Sequence, residues 1–174
     1  MNNDSILKNI KVIKYINPYI SKNWIKWLND KEVAKFSNPR LTKHNLKTQR
    51  KYINNLKKDN TVFFKIYLGS KEIGNIFLTK IDKYNKNCEI GYLIGEKSLW
   101  NKGIATLVIS LTIKYAFKKL KMKKIHTWCY SNNIGSIKAL MKNKFKIEGI
   151  IKKFFKYNQV KRVDKIYLGL YRYK

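Results

Sequence analysis

Hydrophobic positions change their spacing along this chain, and each change marks an element. From Ile6 to Ile16 apolar and polar residues alternate loosely, which predicts a first strand. "SKNWIKWLN", Ser21 to Asn29, puts Trp24, Ile25 and Leu28 on one helical face. Thr42 is suited to N-cap a second helix running through about Leu56. "TVFFKIYL" (Thr61 to Leu68) reads as a strand, "GSKE" as a turn and "IGNIFLTKI" (Ile73 to Ile81) as the return strand. "NKNCEIGYLI" (Asn85 to Ile94) extends this hairpin into a meander. Ile104 to Lys119 is a long helix with Leu107, Leu111, Ile113, Ala116 and Phe117 on a broad apolar face. A short strand (Lys123 to Tyr130), a short helix (Asn133 to Lys142) and a closing hairpin around Asn158-Gln159 complete the chain. The order predicts an α/β (α+β) fold with a mixed, mostly antiparallel sheet, and the length suits one domain over residues 1–174.

Composition narrows the function. Apolar residues make up 44%, enough to fold. The formal net charge is +29, from 39 basic and 10 acidic residues, and such a surface attracts polyanions. Arginine occurs only at Arg40, Arg50, Arg162 and Arg172. Abundant Lys, Asn and Ile fit an AT-rich coding bias; purposeful nucleic-acid binding normally uses more arginine, whose planar fork pairs with phosphate and guanine. Nucleic acid stays open as a partner but is not favoured. Cys88 and Cys129 lack metal-ligand spacing, alone or with His44 and His126, so no metal is expected and both read as buried thiols. "MNNDSILKNIKV" has no signal-peptide core. Ile104 to Phe117 is too short for a membrane span and contains Lys114. The expectation is a cytoplasmic protein, monomer or homodimer, with no membrane partner.

One stretch carries chemistry: "LWNKGIATLV", Leu99 to Val108. The first turn of a helix has backbone N–H groups without intrahelical partners, and the helix dipole adds positive charge there. Gly103 allows close approach, Ala105 is small, Thr106 offers a hydroxyl and Lys102 a full charge. Asn101 to Thr106, with Ile104 opening the helix, therefore suits a pyrophosphate. It is neither a Walker loop nor a Rossmann fingerprint. A plain loop-to-helix junction would read the same way.

The wider sequence resembles the GNAT superfamily of acyl-coenzyme A N-acetyltransferases, above all the branch of ribosomal-protein N-terminal and amino-sugar acetyltransferases. Trp100 to Ala105 stands where that family has its phosphate loop. Asn133-Ile134-Gly135-Ser136 matches its Asn-x-x-Ser helix start, and Lys144 to Gly149 its Gly-Phe-x-x-Glu-Gly. Asp164 falls where the branch often has an acid, and "WLNDKEVAKFS" fits its first helix. The resemblance implies about six to seven strands flanked by about four helices, acetyl-coenzyme A as acyl donor, and a primary amine as acceptor. It also implies that the strand at Tyr92, Leu93 and Ile94 splays from its neighbour to pair with pantetheine, with a freed N–H near Leu93 polarising the thioester carbonyl. Two departures stand out: Lys144 replaces a glycine, and Leu140 replaces the tyrosine that commonly protonates the departing thiolate.

Acetyl transfer needs a deprotonated amine, and alkyl and α-amines sit near ~10 and ~8. Glu89, alternating with Cys88 and Ile90, is the candidate base through a water; it reads equally as a salt-bridged strand carboxylate. Asp164 and Glu148 are weaker candidates. Ser136 stands where this branch donates to the thiolate, and Asn133 where it contacts the cofactor; both are also good helix-start residues. Lys142 is a candidate for the 3′-phosphate, among many lysines. Neither cysteine sits in a nucleophile's setting, so transfer is direct. His126 reads as a structural histidine. The charge favours a nucleotide-linked amino sugar or a ribosome-presented N-terminus over a polyamine. The rival function is a non-enzymatic, basic nucleic-acid-binding domain with stacking tyrosines.

Overall fold

The structure is a computed structural model that describes residues 3–15, 20–58, 60–157 and 160–172. In chain order it has α1 (Asn3–Lys8), β1 (Ile10–Tyr15), α2 (Lys22–Asn29), α3 (Leu46–Lys58), β2 (Val62–Leu68), β3 (Lys71–Asp82) and β4 (Asn87–Ile94). Then come α4 (Ile104–Lys118), β5 (Lys124–Tyr130), α5 (Ile134–Lys142), β6 (Lys146–Lys156) and β7 (Arg162–Tyr171). Among the described residues the strands form one seven-stranded sheet in the order β1-β2-β3-β4-β5-β7-β6. Every neighbouring pair is antiparallel except β4 and β5, which run parallel.

Two expectations change. Residues Asn3–Lys8 form a helix, and the first strand begins at Ile10. Ile6, Leu7 and Ile10 sit at helical spacing. Ile6 is buried in the core, and Asn9 closes the turn by donating from its N–H to the Ile6 carbonyl and from its side-chain amide to that of Ser5. The cap of the second long helix falls to Asn45 rather than Thr42: Asn45 and Thr48 cap it reciprocally, each side-chain oxygen accepting the other's backbone N–H at 3.0 Å. Asn158-Gln159, the expected closing turn, and Ile16 lie outside the described residues.

The sheet is covered on both faces, and strand alternation decides which residue meets which cover. Cys88, Ile90 and Tyr92 of β4, with Ile125 and Cys129 of β5, face a core built with Ile104, Val108 and Ala116 of α4 and Leu140 of α5. The other face packs Phe63, Phe77 and Leu93 against Trp24, Trp27 and Leu28 of α2 and Ile53 of α3. Ser21 starts α2 by accepting the Trp24 N–H at 3.1 Å and donates to Glu72, itself paired with buried Lys65 at 2.9 Å. No helix among the described residues is long and apolar enough to cross a membrane.

Gly95 closes β4 where α2 crosses it. Its N–H donates to the Ile73 carbonyl at 2.9 Å, and a Cβ there would stand 1.9 Å from the Trp27 ring. Gly95→Ala must displace that ring, a cost of about 1–3 kcal/mol for overpacking. A thermal melt should show a loss of several degrees.

Candidate active site

α4 begins without a cap. α2, α3 and α5 each take a side-chain oxygen on a first-turn amide, from Ser21, Asn45 and Asn133 respectively. α4 begins instead at Gly103, which is left-handed (φ +80°) and has no side chain to offer. Asn101 before it is left-handed too (φ +62°). The N–H groups of Gly103, Ile104, Ala105 and Thr106 donate to nothing among the described residues; the first helical bond runs from Leu107 to the Gly103 carbonyl at 3.0 Å. Gly103 is exposed, Lys102, Ala105 and Thr106 are half-buried, and Ile104 anchors the turn in the core. Asn143, which the sequence reading missed, ties this turn to α5: its amide donates to the Thr106 and Ala139 carbonyls, both at 2.9 Å. Lys142 is the exposed residue next to that tie. No carboxylate occurs in the sequence between Glu96 and Glu148, the stretch that holds α4, β5 and α5.

Beside this turn the sheet opens. β4 and β5 pair only from Asn87/Lys124 to Glu89/His126. Beyond Glu89 the rest of β4 stays paired to β3, and the rest of β5 to β7. Tyr92, Leu93 and Ile94 therefore line a splayed edge. Because the Gly95 N–H points to β3, the alternation of an antiparallel ladder turns Leu93 to β3 as well, and turns Tyr92 and Ile94 toward the opening. The Trp100 indole N–H donates to the Ile94 carbonyl at 2.9 Å, tethering the loop before α4 to this edge.

Across the opening stand Ser136 and Asn133. The Asn133 side chain accepts the Ser136 N–H at 3.3 Å, so its capping role is present. The Ser136 hydroxyl lies 2.7 Å from the Tyr92 hydroxyl and 3.4 Å from Cys129 Sγ. Burial drives the Tyr92 phenol far above its ordinary value, with the Ser136 hydrogen bond opposing in part. Burial also pushes Cys129 up to about 11 and Cys88 to about 12, so both thiols stay protonated and non-nucleophilic.

Glu89 lies on the opposite face. Its carboxylate meets Lys80 at 2.7 Å, the ion pair left open by the sequence, and its register partner on β5 is His126. Asp164 is taken up by the hairpin: it accepts the Lys153 N–H at 2.8 Å, pairs with Lys152 at 3.1 Å, and is held below its ordinary value by these contacts. Glu148 is half-exposed and pairs with Lys124 at 2.8 Å.

Residues 19–146 match the model of the GNAT acetyltransferase domain. This chain belongs to the GNAT family. It is 35% identical over 112 residues to the probable N-acetyltransferase YjcK of Bacillus subtilis, a match covering 63% of this chain and 61% of YjcK. It is 28% identical over 149 residues to the acetyltransferase PseH of Campylobacter jejuni, covering 84% of this chain and 89% of PseH. Its fold superposes on the Vibrio cholerae spermidine N-acetyltransferase, solved with CoA and spermine, with a TM-score of 0.77 at 16% identity, over 94% of this chain and 96% of that one.

Both departures from the GNAT pattern have structural consequences. Lys144 accepts the left-handed conformation of the glycine it replaces (φ +68°), a strained choice for a lysine. Leu140 is fully buried in the core, so no hydroxyl reaches the opening from that position. The hydroxyl there comes from β4, through Tyr92. His126 sits on β5 in register with Glu89 of β4. Its imidazole is held below the ordinary value, first by burial and further by Lys80 and Lys124, with Glu89 and Glu148 opposing. The folded protein thus keeps His126 neutral where the unfolded chain, near 6.5, already takes a proton. Stability from this group is complete above that value and is lost as the pH falls toward the folded value. Melts between pH 7.5 and 5 should show this decline, and His126→Asn should flatten it.

Proposed function

We propose that this GNAT domain moves the acetyl group of acetyl-coenzyme A directly to a primary amine. The observation that carries the proposal is the uncapped first turn of α4, within a stretch free of carboxylates, set beside the opened β4–β5 edge. The amides of Gly103 to Thr106, with Asn101 and Lys102, would hold the diphosphate. Lys142 would meet the 3′-phosphate. The splayed edge at Tyr92, Leu93 and Ile94, and Asn133 across from it, would take the pantetheine arm. Because Leu93 is turned to β3, the N–H that would polarise the thioester carbonyl is that of a neighbour, Tyr92 or Ile94, rather than its own. The donor supplies the electrophilic acyl carbon.

The remaining roles fall to the two faces. Glu89, through a water and beside neutral His126, takes a proton from the incoming amine. Ser136 donates a hydrogen bond to the sulfur as the carbon–sulfur bond breaks, and the departing thiolate takes its proton from water. Tyr92 cannot easily surrender its own proton, because burial opposes the phenolate. By donating to Ser136 Oγ it leaves the serine proton free to point at the sulfur, a positioning role.

The acceptor classes supported by charge are a nucleotide-linked amino sugar and a protein N-terminus. A polyamine, the acceptor type of the Vibrio cholerae enzyme, would be repelled by a surface of net charge +29. The test is a screen of amine acceptors read by free thiol release, with thermal stabilisation by acetyl-coenzyme A measured alongside. Stabilisation and turnover are expected. Tight, steeply salt-dependent RNA binding with no response to acetyl-coenzyme A would favour the nucleic-acid reading instead. Within the screen, Glu89→Gln should lower kcat/KM on the order of 10²-fold; unchanged turnover would exclude Glu89 as base.

A further inference from the structure

Lys165 carries its ammonium into a cage of three rings. Its Nζ lies 4.8 Å from the centre of Trp128, 4.9 Å from Phe154 and 4.6 Å from Tyr167. A second cluster adjoins the cage. Trp128 packs on Phe155 at 5.3 Å, Phe155 stacks on Tyr130 at 4.0 Å, and the Arg40 guanidinium lies 5.1 Å over Tyr130. Arg40 is fixed there by donating to the Tyr130 hydroxyl and, at 3.0 Å each, to the Ser37 and Lys156 carbonyls.

Neither cation pairs with a carboxylate among the described residues. In so basic a chain that is ordinary. What separates these two from the many exposed lysines is that both are half-buried and laid on ring faces. Rings hold a cation that has lost part of its water, and its charge then acts on whatever binds beside them.

The cluster also stands in a telling place. Trp128 and Tyr130 share the face of β5 that carries His126, on the part of the strand beyond its last pair with β4. Tyr167 and Lys165 are their register partners on β7. The rings and cations therefore lie on the Glu89 side of the opening, with Tyr92, Ser136 and Cys129 on the other side.

We infer that this cluster is the acceptor's anchoring subsite and that it takes an anionic acceptor, one whose amine is attached to a planar ring group bearing phosphate. The inference rests on the acetyl-transfer reading. Trp128, Phe154 and Tyr167 are partly exposed and supply a stacking surface, while buried Tyr130 serves to seat Arg40. Lys165 and Arg40 supply the counter-charge. A cationic chain is refused, because the cage that would receive an ammonium already contains one. Of the two acceptor classes, this selects the phosphate-bearing one over a protein N-terminus.

The test is a titration of uridine 5′-diphosphate into protein saturated with coenzyme A, so that the donor's nucleotide site is already filled. Wild-type protein is expected to bind it. Lys165→Gln and Arg40→Gln should each weaken binding at least about tenfold, as loss of a charged hydrogen-bond partner does, while acetyl-coenzyme A still raises the melting temperature. Arg40→Lys, which keeps the charge, should retain part of the affinity and guards against loss of folding in Arg40→Gln. Lys165→Gln should also raise turnover of spermidine relative to a nucleotide-linked amino sugar. Absent binding, Gln variants that bind as tightly as the wild type, or wild-type preference for spermidine would overturn the inference. If acetyl-coenzyme A fails to stabilise the wild type, the transfer reading fails separately, and the uridine diphosphate titration still judges the subsite.

Discussion

Gly103→Glu is expected to abolish productive binding of acetyl-coenzyme A. Two effects act together at this position. The backbone is left-handed (φ +80°), which costs a residue with a Cβ about 1–2 kcal/mol. A carboxylate would also enter a turn whose amides are open to an anion, replacing attraction to a diphosphate by repulsion. A Cβ itself meets only the Leu7 methyls at 3.7 Å or more, so crowding is not the cause. Gly103→Ala should then isolate strain, with a modest loss of affinity. Gly103→Glu should raise the dissociation constant on the order of a hundredfold, the combined weight of strain and lost charge complementarity. Calorimetric titration of both variants separates the two terms. Equal affinity in wild type and Gly103→Glu would move the diphosphate elsewhere.

Ser136→Ala should strike the chemical step. Loss of a positioned hydrogen-bond donor to the developing thiolate lowers kcat by on the order of 10²-fold. KM for acetyl-coenzyme A should hardly move, because the interaction strengthens only as charge develops on sulfur. Tyr92→Phe keeps the serine but removes the hydroxyl 2.7 Å from it. It should lower kcat on the order of tenfold while leaving KM unchanged. A serine acting alone predicts no change in Tyr92→Phe, and a merely structural tyrosine predicts a lower melting temperature without the kcat-against-KM split.

The sequence made the fold legible wherever one period ruled a whole segment. The β2–β4 meander, α4 and the α5–β6 junction all stand close to their expected bounds, because their apolar positions keep step with the strand or helix period. The N-terminus misled: Ile6 and Ile10 fit a loose alternation as well as a helical turn, and only burial of Ile6 decides. Thr42 misled because a cap is chosen by reciprocal hydrogen bonding, and here the pair is Asn45 and Thr48. The glycine that opens α4 was legible as a helix start from glycine, lysine and a following apolar run. The Tyr92–Ser136 contact and the Glu89–His126 adjacency were not, since each joins residues 44 and 37 apart by numbering through sheet register and helix packing. The same holds for Lys165 among its three rings, which come from three strands.

Hydrogen exchange at the start of α4 bears most directly on this picture. Among the described residues the amides of Gly103 to Thr106 have no acceptor, so in the free protein they should exchange quickly. Saturating acetyl-coenzyme A should slow them at least about tenfold, ahead of the rest of the sheet. Unchanged exchange at these four amides, in a sample where the ligand is demonstrably bound, would contradict a donor site built on that turn.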